Sequence, residues 1–125
     1  MVSSLAPREV RDALVLFQHS ERVKSFLIMA SKMLDGLRGL EGAELSGARR
    51  MFKHFLDALM TEVRIAQNTT GRQEFGDVNA MLSEVSSLAH SGLLDEAMRK
   101  MAEAISVVTT CGSEAYELLK REELI

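Results

Sequence analysis

A chain of 125 residues that is 46% hydrophobic and 26% charged is sized for one domain with one core and is too apolar for a disordered segment. Its single cysteine, Cys111, excludes an intrachain disulfide and a cysteine-rich zinc site, and no apolar run approaches the roughly 20 residues that a membrane span needs. The net charge of −3 conceals an asymmetry: residues 1–73 carry +3 and residues 74–125 carry −6. The two halves could attract each other within or between chains, but uneven surface charge with no partner attached is the favoured reading, and neither half is basic enough to announce nucleic acid.

Helix formers dominate, with one proline, no tryptophan and a single β-branched run at residues 106–110, so the fold class is all-α. Residues 1–10 show no basic stretch followed by an apolar one, so no signal peptide is visible and the cytoplasm is the expected compartment. Pro7 suits the first position of a helix, and Val10, Ala13, Leu14 and Phe17 follow at helical spacing. Ser20 can cap a second helix carrying Val23, Phe26, Leu27, Ala30, Met33, Leu34 and Leu37. At about 100° per residue the two sets do not share a face. Either the chain breaks near residues 18–20, or one long helix buries different faces at its two ends. Ile28 falls on the side of Val10, Leu14 and Phe17, which leaves apolar surface seeking a partner.

Four glycines in residues 36–47 predict a loop around 39–45. The next helix is expected over about 44–67 and ends at the break "NTTGRQ", where the glycosylation-like Asn68-Thr69-Thr70 is read as loop. Phe75, Val78, Met81, Leu82, Val85, Leu88 and Ala89 form the third stripe, and residues 90–92 a short turn. The last stripe keeps its phase from Leu94 to Leu119 through Gly112, so one long helix to about Arg121 is expected, with the end of "KREELI" frayed. In residues 91–105, Ala97, Ala102 and Ala104 would permit close packing, but no second copy of this segment supports a repeat array. Short connections make antiparallel neighbours, so residues 1–125 are expected to form a single-domain, antiparallel up-down four-helix bundle.

Little in the chain looks like chemistry. Within "ARRMFKHFLDALM" at residues 48–60, Ala48, Phe52, Phe55, Leu56, Leu59 and Val63 share one face, while Arg50, Lys53, His54 and Asp57 fall on the other and Arg49 on the flank. Solvation of an amphipathic helix explains that cluster. The same residues Arg49, Arg50, Lys53 and His54 are also the candidate anion or nucleic-acid site, since arginine steadies phosphate charge and histidine moves protons near neutral pH. The Arg49-x4-His54 spacing is similar to that of HEPN-type ribonucleases, small helical dimers in which an arginine and a histidine from paired subunits converge on phosphate. The likeness covers two residues. It departs from the pattern at Arg50, where a small polar residue is usual, and in lying on a middle helix.

No histidine has a glutamate three residues before it, so the chain lacks the Glu-x-x-His pairs of a di-metal bundle. "GLRGLEG" lacks the lysine and the preceding strand of a phosphate loop. Cofactor and metal are both expected to be none. Cys111 lies in an apolar stripe and reads as a small core residue rather than a nucleophile. Met33, Met51, Met81, Met98 and Met101 read as core or its edges, with a methionine-lined ligand groove as the weaker option. The expected function is non-catalytic: a helical protein-interaction module, a homodimer or a small subunit, with Val10, Leu14, Phe17 and Ile28 as interface anchors.

Overall fold

The computed structural model describes residues 7–123, and the readings of residues 1–6 and of the last two residues of "KREELI" lie outside that range. Four helices account for nearly all of it: α1 (Pro7–Asp35), α2 (Gly42–Thr70), α3 (Gln73–His90) and α4 (Leu94–Arg121). No strand occurs among the described residues. Each helix packs on its sequence neighbours, and α4 returns to close the ring on α1. This is the expected all-α, up-down four-helix bundle.

One spacing rule builds all four helices. The buried positions are Ala13, Leu16, Ser20, Val23, Leu27, Ala30 and Leu34 in α1; Phe52, Leu56, Leu59, Val63 and Ala66 in α2; Phe75, Val78, Leu82, Val85 and Ala89 in α3. α4 adds Ala97, Met101, Ala104, Val108, Cys111, Ala115 and Leu119. Steps of three and four alternate almost without exception, which keeps a seam on one side of a helix when neighbours lie nearly parallel or antiparallel to it.

The seam of α1 corrects the sequence reading. The helix does not break at residues 18–20. It runs unbroken for 29 residues, and its first third enters the core through Ala13 and Leu16 rather than through Val10, Leu14 and Phe17. Ser20 is no cap: it sits in mid-helix, 1% exposed. There it faces Gly112 of α4, where an added Cβ would stand 3.3 Å from the Cβ of Ser20. These small residues, with Ala13, Ala30, Ala104 and Ala115, let α1 and α4 approach closely, and this pair shares the most extensive packing in the bundle. Ala102, Met33 and Met51 are exposed, contrary to expectation, whereas Ala97, Ala104 and Met101 are core.

The connections are shorter than the polar stretches suggested. The first spans residues 36–41, so α2 already starts at Gly42. Asn68, Thr69 and Thr70 are helical rather than loop. The Thr70 hydroxyl donates to the Ala66 carbonyl at 2.7 Å and accepts the Arg72 N–H at 3.2 Å, so polar side chains here extend the helix instead of ending it. Gly71 ends it, at φ 72°, with its N–H donating to the Gln67 carbonyl at 2.8 Å. Only glycine takes up that left-handed position without strain.

Ion pairs join the basic first half to the acidic second half. Arg38 reaches Asp95 at 2.6 Å and Arg72 reaches Glu114 at 2.8 Å. The charge asymmetry thus acts at least partly within one chain.

Arg72 also donates two bonds to Glu74, from Nε at 3.2 Å and Nη2 at 2.6 Å. The guanidinium holds the Glu74 carboxyl down, from the ordinary 4.5 to about 2. A carboxylate whose pKa is depressed on folding stabilises the fold above its unfolded value, and that contribution disappears as pH falls from about 4.5 toward 2. The side chain is more than a third exposed, so solvent screens much of the effect. The unfolding temperature of the wild-type protein is expected to fall more steeply over that window than that of Glu74→Gln. Parallel curves would show that the pair contributes nothing.

Candidate functional site

Arg50, Lys53, His54 and Asp57 of α2 lie on the exposed face that the sequence predicts, and the first three turns of that helix border a hollow. α3 is only 18 residues long against 29 for α2, and it stops at His90, where the α3–α4 turn brings Gly92 against Arg49. The first two turns of α2 run on past that point. The corner between them is an open pocket of about 560 Å³, within the size range of small-molecule sites.

Arg49, Arg50 and Lys53 line it from α2, and His90 with Ser86 and Ser87 lines it from α3. Leu45, Phe52 and Ala89 give it an apolar base, and no carboxylate is among its lining residues. Among the described residues neither Arg49 nor Arg50 has an ion-pair partner. Lys53 bonds Asp57 one turn along, at 3.0 Å. The Nε–H of Arg49 is buried with no acceptor among the described residues. Gly92 has φ 79°, and a Cβ there would stand 3.3 Å from the Arg49 Nη2. The left-handed backbone reserves this position for glycine, whereas the contact is with the movable end of the Arg49 side chain.

Of the four cluster residues named from sequence, the pocket takes in Arg49, Arg50 and Lys53 but not His54, which is exposed outside it. The Arg-x4-His pair is therefore not assembled within this pocket. The imidazole that does line it is His90, which the sequence reading left in a turn. Ser46, Ser86 and Ser87 were also not singled out. Their place follows from the register of the hairpin, which the structure fixes: Met60 meets Asn79, whose Nδ2 donates to the Met60 carbonyl at 3.0 Å. Counting outward from that pair in opposite directions along the two helices brings His90 level with residues 49–50.

The proposed interface residues lie along one side of α1 but do not fuse into one surface. Leu14 is 41% exposed and Ile28 38%, while Val10 and Phe17 are half-buried. The Phe17 ring packs on Tyr116 of α4 at 6.1 Å between centroids. Glu21 and Lys24 stand between Phe17 and Ile28 on the same side of the helix and line the α1–α4 groove there.

Cys111 is 1% exposed. Burial, and next the Glu74 carboxylate, push its thiol up to about 11, so it stays protonated and unreactive near neutral pH. No methionine lines the pocket. Among the described residues no three histidine, cysteine or acidic side chains come together as a metal site, and no helix is long and apolar enough to cross a membrane. Compared with protein-family models, with curated proteins and with solved structures, the chain matches none.

Proposed function

We propose that this chain is a non-catalytic helical binding module whose pocket between α2 and the end of α3 holds a phosphate-bearing ligand. One observation carries the reading: two unpaired guanidinium groups, the Lys53 ammonium beside its Asp57 partner and an imidazole line one open hollow with no carboxylate among its lining residues, in a protein of net negative charge. Among the described residues Arg49 and Arg50 carry no ion pair, and guanidinium geometry matches phosphate oxygens in pairs.

Titration of the labelled protein with inorganic phosphate at low salt tests it. Amide shifts are expected to concentrate in residues 42–53 and 86–93. They should disappear in Arg50→Glu, an exposed position whose replacement leaves the core intact. Arg49→Ala should weaken binding as well. Shifts scattered over the surface, or none at millimolar phosphate, would sink the reading.

A second reading is favoured by the exposure of Leu14 and Ile28: the module also associates with a second copy through the outer side of α1. Light scattering on a sizing column is expected to give the mass of a dimer, reduced to a monomer by Phe17→Asp. A wild-type monomer would remove this reading and leave the pocket untouched.

A further inference from the structure

Three features of the pocket narrow its ligand beyond phosphate chemistry, and the step rests on the reading just given. The first is length. Arg49 to Lys53 spans about 6 Å of helix, and the next residue on that side, one turn on, is Asp57, already bonded to Lys53. A surface that binds a nucleic-acid strand gathers affinity from many phosphates and tracks the backbone with a basic groove. Here the positive stretch ends in a carboxylate after about one turn. The second feature is volume. A hollow of about 560 Å³ is far larger than one phosphate group and of the size that encloses a small organic molecule. The third is the base of the hollow. Half-buried Leu45 presents apolar surface beside the cations, with the buried Phe52 and Ala89 directly behind it, and a bare inorganic anion would leave that surface unused where an organic body would cover it.

We infer that the pocket takes a small phosphomonoester, its phosphate held by Arg49, Arg50 and Lys53 and its apolar body seated on Leu45, which the buried Phe52 and Ala89 back. Ser86, Ser87 and His90 supply further hydrogen-bonding groups from the facing helix, so the ligand bridges α2 and α3.

Calorimetry with the intact protein at low salt separates this from the alternatives, using four probes: inorganic phosphate, phenyl phosphate, phenol and a single-stranded oligouridylate. Phenyl phosphate is expected to bind at least about tenfold more tightly than inorganic phosphate, and phenol not measurably. Leu45→Ser, at the half-buried edge of the base, should reduce the phenyl phosphate affinity toward that of inorganic phosphate while leaving the latter unchanged. Equal affinities for the ester and the inorganic ion would overturn the inference and spare the anion pocket. Tight, steeply salt-dependent binding of the oligonucleotide would overturn it in favour of a strand site. Failure of both phosphate and its ester to bind would overturn the inference and the proposed function together.

Discussion

Phe75→Ala is expected to lower the stability of the bundle by about 3–5 kcal/mol. Phe75 is the largest fully buried side chain, with no exposed surface, and it stands in the first turns of α3, the shortest helix. Truncation removes the transfer energy of an aromatic ring and leaves a cavity that the rigid seams on either side cannot fill. Domains of this kind have roughly 5–15 kcal/mol in total, so the loss is a large fraction and should lower the unfolding temperature by at least 10 °C, on the order of 3–5 °C per kcal/mol. Phe75→Leu keeps most of the volume and should lose only about 1 kcal/mol. Denaturant unfolding of both variants checks the pair. If Phe75→Ala lost no more than Phe75→Leu, the ring would not be filling a close-packed core.

Gly112→Leu is expected to be the most damaging change that adds atoms. Gly112 is buried on α4, and the Cβ built there meets Ser20 Cβ at 3.3 Å and Glu21 Oε1 at 3.5 Å. A single methyl group is a near balance. Alanine gains about 1 kcal/mol of helix propensity over glycine, and the tight contact with Ser20 opposes it. Leucine adds three more carbons beside Ser20 at the most extensive helix contact, where Gly112 also borders the α1–α4 groove, and overpacking there is expected to cost about 1–3 kcal/mol. Gly112→Ala is therefore expected to lie close to wild type, and Gly112→Leu far below it. Adding Ser20→Gly to Gly112→Ala should relieve the contact. If Gly112→Leu unfolded at the wild-type denaturant midpoint, the close approach of these two helices would be refuted.

The fold was legible because periodicity is a property of each helix alone. The phase of the α3 and α4 seams could be read, including the passage of α4 through Gly112, although the buried residue in the middle of α4 is Ala104 rather than the larger Ile105 beside it. What failed was the phase of the first third of α1. There the large residues Val10, Leu14 and Phe17 drew the stripe to themselves, while the true seam runs through Ala13, Leu16 and Ser20. Hydropathy weights a phenylalanine far above a serine. Packing selects by fit, and at the crossing with Gly112 only a small side chain fits. The end of α2 misled for a related reason: Asn68 to Thr70 look like a turn, but the Thr70 hydroxyl bonds back to the helix backbone.

The candidate site was half legible. Arg49, Arg50 and Lys53 announce themselves as neighbours on one helix. His90, Ser86 and Ser87 come from a different helix, and no within-helix period reports a partner across a hairpin. Their contribution depends on the register set by the two-residue Gly71–Arg72 connection, and on α3 ending early enough to leave a hollow. His54, adjacent to the cluster in sequence, turns away because a helix places successive residues about 100° apart.

The ring of helices has a consequence for how the protein is made. α1 and α4 share the largest contact, yet all of α2 and α3 lies between them in the chain. At ribosomal rates of about 5–20 residues per second, α1 emerges several seconds before its main partner exists. Through that interval the half of its seam meant for α4 has nothing to cover it. Joining α1 to α4 closes the longest loop in the bundle, so this contact carries the largest loop-closure entropy of the four helix pairings.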